Sequence, residues 1–339
     1  MSKSMLVLGG SHFLGREVAE QARDDGWRVS VFNRGKTGAN PDGVHALTGD
    51  RTSAADLKRL AELGPWDAVV DTSGMNAEVV ESATDALAAA VDRYVYVSTV
   101  SVYAHWPLHP LTEDLPTLAE AAPADGMPDD VNISYGRDKA ACEQAARTNL
   151  DRRLTILRPG VILGPGEYVG RLPWWLNRAA RGGRILAPGQ PTQPIQPVDV
   201  RDVAAFACHR ADVANDGEVF NVAARQDVAT MFSLLSNCLT STGPDQAELT
   251  WVDNDVLLQQ GVRQWTELPL WRTHPGTWQV EADRARKAGL VCRPLSVTVD
   301  DTWAWMLAGN RAVHNDRAAL HGIDPVKEET VLDAWDTRA

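Results

Sequence analysis

The segment Gly9-Gly10-Ser11-His12-Phe13-Leu14-Gly15 decides the fold of this chain. It follows the apolar run Met5–Leu8, which is typical of a buried strand, and it opens the helical segment Gly15–Asp25. Glycines directly after a strand allow a tight turn into a helix, and the N–H groups at the start of that helix can hold a pyrophosphate. The context predicts a dinucleotide-binding turn, and a purely structural turn is the alternative.

Short apolar strands and helical segments alternate along the first half of the chain. The predicted strands are Met5–Leu8, Val29–Phe32, Val44–Leu47, Ala68–Asp71, Tyr94–Ser98, Leu154–Leu157 and Val219–Val222. The predicted helices are Gly15–Asp25, Ala54–Leu63, Ala77–Ala90, Tyr135–Asn149, Val200–Ala211, Val228–Thr240, Glu281–Gly289 and Val299–Ala308, with Ser53, Asn76 and Asp199 as expected N-caps. Strands apolar on both faces indicate a parallel sheet covered on both sides. The predicted fold class is α/β, a Rossmann-type doubly wound parallel sheet with a smaller C-terminal substrate-binding lobe.

Proline and glycine become frequent after Arg158, in Pro159–Gly170 and again in Gly182–Pro197. The second stretch fits either a flexible linker or a loop that lines a cleft. We expect residues 1–165 to form an NADP-binding Rossmann domain to which residues 198–225 return. Residues 166–197 and 226–339 are expected to form the substrate-binding lobe.

Composition excludes several classes of protein. The 33 basic and 45 acidic residues give a net charge of −12, which repels phosphate backbones and anionic lipid, so neither nucleic acid nor a membrane is an expected partner. The scattered cysteines predict neither a metal site nor a disulfide framework and favour a reducing compartment. No apolar run is long enough for a signal peptide or a membrane span, so we expect a cytoplasmic protein.

The end of the second predicted strand indicates which nicotinamide cofactor is preferred. NAD sites usually place an acidic residue here to bind the ribose 2′-hydroxyl. This chain has Asn33-Arg34-Gly35-Lys36 instead. Asn33 does not repel a 2′-phosphate, and the Arg34 guanidinium suits one, with Lys36 adding charge. The turn predicts NADP(H) rather than NAD(H), and a solvated basic turn is the alternative.

A tyrosine and a lysine four residues apart predict a proton-transfer site. Tyr135 and Lys139 share one face of a helix at this spacing. A phenol has an ordinary pKa of about 10, and a neighbouring ammonium favours its phenolate. A hydroxyl at the end of the strand Tyr94–Ser98 can orient a substrate carbonyl, and both Ser98 and Thr99 stand there.

With these motifs the chain resembles the extended short-chain dehydrogenase/reductase family, which contains NAD(P)-dependent sugar epimerases, dehydratases and reductases. The resemblance covers nearly the whole chain and is carried by LVLGGSHFLG (6–15), YVSTVSVYA (96–104), YGRDK (135–139), ILRPGVILGPG (156–166), QPVDVRDVA (196–204) and VFNVA (219–223). It implies a catalytic set of Thr99, with Ser98 as its rival, Tyr135 and Lys139. It also implies a cofactor site formed by Gly9, Ser11, His12, Phe13, Leu14, Gly15, Asn33, Arg34, Lys36, Asp50, Arg51, Thr72, Ser73, Ser98, Tyr135, Lys139, Pro159 and Val161.

Departures from the family pattern narrow the expected chemistry. His12 stands where the family often has its middle glycine. Sugar-nucleotide 4,6-dehydratases carry an acidic pair where this chain has Val100 and Ser101, so that elimination is not expected. Sugar-nucleotide epimerases commonly hold the substrate diphosphate with an arginine where Gln193–Pro197 carries no charge. A nucleotide sugar is therefore disfavoured, although four arginines lie near enough to substitute: Arg171, Arg178, Arg181 and Arg184.

The leading hypothesis is an NADPH-dependent carbonyl reductase, or the reverse alcohol dehydrogenase, in which Tyr135 moves the proton and Thr99 polarises the carbonyl. The first alternative is an NAD(P)-dependent sugar or sugar-nucleotide epimerase. The second is a non-catalytic protein that senses the cofactor or binds RNA or protein. The retained Tyr135/Lys139 pair and the acidic charge argue against this second alternative.

The expected substrate is a small carbonyl compound or alcohol in an apolar or aromatic pocket. Its walls are expected at Ser101, at Trp106 and the loop that runs on to Asp130, and at Trp174 and Trp175. Simple packing within the lobe is the alternative for the last two indoles. A homo-oligomer is expected from the frequency of oligomers among soluble enzymes, although no interface is visible in the sequence.

Overall fold

The computed structural model describes residues 2–129, 131–213 and 217–338. Its strands are β1 (Ser4–Leu8), β2 (Arg28–Asn33), β3 (His45–Thr48), β4 (Trp66–Asp71), β5 (Val91–Val97), β6 (Leu154–Pro159), β7 (Ile162–Leu163), β8 (Gly183–Pro188), β9 (Pro194–Ile195), β10 (Val198–Asp199), β11 (Val219–Val222), β12 (Ala229–Thr230) and β13 (Ala247–Val252). Its α-helices are α1 (Phe13–Asp24), α2 (Ala54–Glu62), α3 (Ala77–Leu87), α4 (Ile133–Leu150), α5 (Arg171–Ala180), α6 (Val200–Asp212), α7 (Met231–Thr242), α8 (Asn254–Gln259), α9 (Asp283–Lys287), α10 (Leu295–Leu307) and α11 (Pro325–Asp336).

Seven parallel strands form the central sheet, in the order β11-β6-β5-β4-β1-β2-β3. The chain starts in the interior of the sheet, builds outward to β3, and then returns to build the other side from β4 to β11. This is the doubly wound plan, and the predicted fold class is confirmed. The carboxyl ends of all seven strands consequently lie along one edge, where an open α/β sheet binds its ligands.

Alternating side chains of the central strands explain why both faces of the sheet are covered. On β1, Val7 belongs to the core beneath α1 and α6, whereas Leu6 and Leu8 belong to the opposite core beneath α2, α3 and α4. All three side chains are buried. The three expected N-caps are present, since the side chains of Ser53, Asn76 and Asp199 each accept a backbone N–H of the following helix.

A separate core lies in the lobe, where α5, α7 and α10 pack together around Leu172, Trp175 and Leu235. The stretch Gly182–Pro197 is neither a linker nor a plain loop, because it contains β8, which pairs in parallel with β13. Glycine and proline stand only at the ends of β8 and leave Ile185–Ala187 as an ordinary buried strand. The domain boundaries stay a prediction. Within the described residues no helix has the length and apolar character needed to cross a membrane.

Candidate active site

The glycine-rich turn is compact because its glycines approach other backbone closely. Gly9 and Gly10 have φ angles of +112° and +85°. A Cβ atom on Gly15 would lie 2.6 Å from the Gly10 nitrogen and 2.7 Å from Thr72 Oγ1. His12, the N-cap residue of α1, makes no side-chain capping hydrogen bond within the described structure. The first N–H groups of α1 therefore lack a side-chain cap, and this arrangement suits an anion.

His12 and Phe13 place aromatic rings on this turn. Tyr168 lies edge-on to both, with ring centroids 5.4 Å from His12 and 5.7 Å from Phe13. Burial lowers the pKa of His12, so its ring is neutral at neutral pH. The residue that replaces the family's middle glycine therefore packs against Tyr168, a neighbour for which the sequence carries no local signal.

The remaining side chains of the turn differ in how far they are available to a ligand. Ser11 Oγ lies 2.7 Å from Thr37 Oγ1, and Leu14 is buried in the sheet core. The Asn33 side chain joins its own loop to the glycine-rich turn. Its amide N–H donates to the Gly9 carbonyl oxygen at 3.3 Å, and its amide oxygen accepts the Gly35 N–H at 2.8 Å. The side chains of Leu14 and Asn33 are therefore engaged within the protein, and these residues can offer a cofactor only their backbone atoms.

Arg34 and Lys36 are exposed beside the carboxylate of Asp50. Hydrogen bonds from Thr52 hold the pKa of Asp50 below its usual range, and the charges of Arg34 and Lys36 add to this effect. The predicted 2′-phosphate turn therefore presents two cations to solvent and one carboxylate close to them.

A buried ion pair supports the ends of β3 and β4. Arg51 donates to both Asp71 carboxylate oxygens, at 2.9 and 2.8 Å, and also to Ser73 Oγ at 2.9 Å. Burial alone would raise the pKa of Asp71, but the Arg51 guanidinium outweighs it and holds that pKa below its usual range. Thr72 Oγ1 donates to the Leu8 carbonyl oxygen at 3.2 Å. The side chains of Arg51, Thr72 and Ser73 are thus bonded to protein groups and shape the wall of the site.

The structure brings the predicted catalytic hydroxyl and phenol together. Thr99 follows β5 and caps the short 3₁₀ helix Val100–Val102, with its Oγ1 accepting the Ser101 N–H at 3.2 Å. The Tyr135 phenol lies beside the Thr99 side chain, and both line the same cleft. Ser98 Oγ is buried and has no hydrogen-bond partner among the described residues.

Close approach of α4 to the end of β5 fixes this geometry. Asn132 caps α4 by accepting the Tyr135 N–H at 3.0 Å. A Cβ atom on Gly136 would lie only 2.1 Å from the Ser101 carbonyl oxygen, so only glycine fits there. Gly136 was not among the predicted site residues. Its position within the YGRDK motif was the one available signal.

Lys139 lies on the same helix as Tyr135, one turn further along α4. It is buried, and its ammonium donates to the carbonyl oxygens of Gly74 and Val97, at 2.8 and 2.7 Å. Burial lowers the pKa of Lys139 to about 8. Burial also raises the pKa of Tyr135, whereas a Lys139 ammonium that favours the phenolate would lower it. The effect of Lys139 on the phenolate stays a prediction, and in this structure two carbonyl oxygens hold its ammonium.

One cleft joins the glycine-rich turn to the lobe. The predicted site residues that line it are Phe13, Ser98, Thr99, Ser101, Trp106, Tyr135, Pro159 and Val161. Sequence reasoning missed several other lining residues, among them Glu167, Tyr168, Trp265, Arg272 and Arg317. Asp130, the end of the predicted wall loop, lies outside the described residues. Arg171, considered above only as a substitute for a missing arginine, also lines the cleft.

Trp174 and Trp175 were predicted to form a substrate wall, but neither lines this cleft. Trp175 is 1% exposed, and its indole N–H donates to the Pro269 carbonyl oxygen at 2.7 Å inside the lobe core. The Trp174 ring lies 4.6 Å from that of Trp175 and packs on Gly322. The indoles at the cleft are instead Trp106 and Trp265, which have the Arg272 guanidinium 5.2 and 4.4 Å from their ring centres.

The chain matches the model of the NAD dependent epimerase/dehydratase family over residues 5–223 and belongs to that family, whose members bind nicotinamide dinucleotides. This confirms the resemblance inferred from the motifs. Among characterised relatives, it is 26% identical over 263 residues to the chloroplast stem-loop binding protein of 41 kDa b of Arabidopsis thaliana, covering 73% of this chain and 65% of that protein. It is 29% identical over 204 residues to 2-alkyl-3-oxoalkanoate reductase of Stenotrophomonas maltophilia, covering 55% of this chain and 58% of that protein. Each match spans less than two thirds of the relative's length.

Solved structures share the fold. A putative epimerase from Burkholderia cenocepacia J2315 has a TM-score of 0.70 at 22% identity, covering 91% of this chain and 99% of that chain. The Bordetella bronchiseptica enzyme WbmG, solved in complex with NAD and UDP, has a TM-score of 0.68 at 18% identity, covering 91% and 96%. Identities this low establish the architecture alone.

Proposed function

We propose that this protein is an NADPH-dependent oxidoreductase that reduces a carbonyl compound or, in the reverse direction, oxidises an alcohol. The Tyr135 phenol and the Thr99 hydroxyl carry the proposal, because they lie side by side in a cleft that Phe13 of the glycine-rich turn also lines. The similarity to 2-alkyl-3-oxoalkanoate reductase supports a carbonyl substrate.

The residues present fit a dinucleotide. The N-terminus of α1 lacks a side-chain cap, and the buried Ser98 hydroxyl lacks a partner within the described structure. The backbone of the glycine-rich turn would hold the pyrophosphate, and Arg34 with Lys36 would bind the 2′-phosphate. Nearer the nicotinamide, the proposed contacts are Ser98, Tyr135, Lys139, Pro159 and Val161. The bound nicotinamide supplies a hydride in reduction and accepts one in oxidation.

The protein's own part in the chemistry follows from the cleft geometry. In reduction, the Thr99 hydroxyl donates a hydrogen bond to the substrate carbonyl oxygen and orients it. Tyr135 then gives its phenolic proton to that oxygen as negative charge develops there. Because burial keeps the phenol protonated, the structure favours Tyr135 as an acid in the reducing direction. Lys139, bonded to Gly74 and Val97, fixes α4 against the ends of the strands.

An epimerase is the second candidate, and one observation favours it. Three arginines, Arg171, Arg272 and Arg317, line the cleft and would suit the diphosphate of a nucleotide sugar. Several solved structures of similar fold are UDP-sugar 4-epimerases, which supports the same alternative at the level of fold.

Net consumption of NADPH separates the two candidates. The purified protein is mixed with NADPH and a panel of carbonyl compounds that includes 2-alkyl-3-oxoalkanoates, and the near-ultraviolet absorbance of NADPH is followed. A reductase consumes NADPH in step with alcohol formation, and Tyr135→Phe slows this about 10²-fold to 10⁴-fold. Conversion of a nucleotide sugar with no net change in NADPH would establish the epimerase instead. NADPH binding without turnover of any substrate would favour a non-catalytic protein.

A further inference from the structure

Two arginines lie together at the substrate side of the cleft. Arg171 is the first residue of α5, and Arg317 lies in the 3₁₀ helix Asp316–Leu320, which precedes α11. A Cβ atom on Gly170 would lie 3.3 Å from the Ala318 Cβ, so these two segments are in van der Waals contact. Both arginines line the cleft that contains Tyr135.

The local acid does not neutralise this pair of cations. Among the described residues that line the cleft, Glu167 is the single carboxylate. Its oxygens accept the backbone N–H groups of Arg171 and Leu172, at 3.1 and 3.0 Å, and one contact from the Arg171 guanidinium at 3.3 Å. No carboxylate of the described structure forms an ion pair with Arg317. Glu167 therefore both caps α5 and balances Arg171, which leaves the pocket positive.

Unfilled hydrogen-bonding capacity accompanies this positive charge. Arg171 Nε is buried and has no partner among the described residues, and the same holds for both ring nitrogens of His321. Burial, with the charges of Arg171 and Arg317, lowers the pKa of His321 to about 4, so this ring is neutral and adds no positive charge of its own. A buried guanidinium donor without an acceptor costs free energy, and an anionic ligand would remove that cost.

We infer that Arg171 and Arg317 form an anion subsite, so that the substrate of the proposed reductase is a carbonyl compound carrying a carboxylate or a phosphate. That the substrate has a carbonyl group rests on the proposed function, whereas its negative charge is inferred from the arginine pair. Trp106 and Trp265, whose ring centres are 6.5 Å apart, offer flat apolar surface between the two ends of such a molecule.

Matched neutral and anionic ligands test the subsite. The probes are 4-formylbenzoate, its methyl ester and 4-formylphenyl phosphate, compared by kcat/KM with NADPH. The alcohol products of the acid and the ester, together with UDP, are titrated by tryptophan fluorescence, both with NADP⁺ and without it. We expect the wild type to prefer the anions to the ester at least about tenfold in kcat/KM and in Kd, as a charge-assisted hydrogen bond predicts.

Variants assign the preference to the two arginines. Arg317→Gln, at an exposed position that tolerates substitution, should reduce the ratio of acid to ester about tenfold, and Arg171→Gln should do the same. Arg181→Gln, at the exposed C-terminal end of α5, is the matched control and should leave the ratio as in the wild type. Tighter binding of phosphate or UDP than of carboxylate supports the subsite and identifies the source of the negative charge.

Failure of the subsite and failure of the proposed function give different results. Equal binding of acid and ester, no binding of any anion, or an anion preference that survives both arginine substitutions would overturn the subsite. Anion binding without any NADPH oxidation would retain the subsite and overturn the reductase.

Discussion

Thr99 and Ser98 are adjacent hydroxyls at the end of β5, and their surroundings separate them. Thr99 lies beside the Tyr135 phenol, and its Oγ1 caps a 3₁₀ helix by accepting the Ser101 N–H, which fixes its orientation. Ser98 Oγ is buried, and no described residue bonds to it. We therefore propose Thr99 as the substrate-orienting hydroxyl and Ser98 as a cofactor contact. The surroundings of the two hydroxyls support this division, which their spacing in the sequence leaves open.

The pH dependence of the reaction should follow Tyr135. Since burial raises the pKa of Tyr135, its phenol stays protonated through the neutral range. We expect kcat/KM for reduction to stay level through the neutral range, to change near pH 8 as Lys139 loses its proton, and to fall through deprotonation of Tyr135 only above about pH 10. Oxidation of the alcohol needs the phenolate and should accelerate as the pH rises. A reduction profile that already falls near neutral pH would contradict a raised pKa for this residue.

Arg34 should determine the preference for NADPH. One charge-assisted hydrogen bond to phosphate contributes about 1.5–3 kcal/mol, so Arg34→Ala should raise Kd for NADPH about tenfold to a hundredfold and leave Kd for NADH unchanged. Arg28→Ala, at the exposed opposite end of β2, is the control. Titration calorimetry measures both constants. Equal Kd values for NADPH and NADH in the wild type would disprove the preference.

At the scale of elements, the packing of α1 onto the glycine-rich turn depends on Gly15. Alanine inside a helix is normally more stable than glycine by about 0.5–1 kcal/mol. Here the added Cβ would lie 2.6 Å from the Gly10 nitrogen, so Gly15→Ala should instead destabilise the fold by about 1–3 kcal/mol and weaken NADPH binding. Urea unfolding measures the change.

Gly26→Ala serves as the control for Gly15→Ala. Gly26 has a positive φ of +85°, but no atom outside its own vicinity lies within 4 Å of an added Cβ, so its cost comes from backbone strain alone, about 1 kcal/mol. A more stable Gly15→Ala protein would show that α1 does not approach the turn as closely as described.

The sheet and its ligand edge could be predicted because their signals are local. Most apolar strands end at a polar or glycine residue, and parallel strands place those ends along one edge, which is why Gly9, Asn33, Thr72 and Ser98 were predicted from sequence. The pairing of β8 with β13 was missed because neither strand was predicted: glycine and proline bound β8, and most of β13 is not buried. No local pattern reports such a contact.

The lobe side of the cleft was missed for a related reason. Tyr168, Trp265 and Arg317 lie outside regular α-helices and strands, in segments whose position depends on packing against distant parts of the chain. Trp174 and Trp175 were instead wrongly predicted to line the cleft. Two adjacent indoles show that a helix has an apolar face but not which part of the protein that face contacts. α5 turns Trp175 into the lobe core, so these indoles stabilise the lobe.

Across the whole molecule, charge is divided unequally between surface and cleft. The chain carries a net charge of −12, yet the described lining of the cleft holds three arginines and one glutamate. A positive cleft in an acidic protein concentrates small anions at that cleft. The distribution agrees with NADPH and an anionic carbonyl compound as ligands.

The last helix, α11, should hold the lobe together through one buried ion pair. Arg178 of α5 donates its Nε–H to both Glu328 oxygens at 2.9 Å, and the Leu186 N–H donates to the same carboxylate at 3.1 Å. The side chains of Arg178 and Glu328 are only 7% and 8% exposed. Glu328→Gln leaves the Arg178 charge buried without a counter-ion, so we expect a loss of about 3–5 kcal/mol in the free energy of unfolding.

The same helix provides the control for this prediction. Asp336 of α11 forms an ion pair with Arg184, and its side chain is 56% exposed. Solvent screens that pair, so Asp336→Asn should cost no more than about 1 kcal/mol in the same urea experiment. Because α11 directly follows the segment that carries Arg317, Glu328→Gln should also weaken the preference for anionic substrates, whereas Asp336→Asn should not. Equal stabilities of the two variants would show that the buried pair does not anchor the C-terminal segment to the lobe.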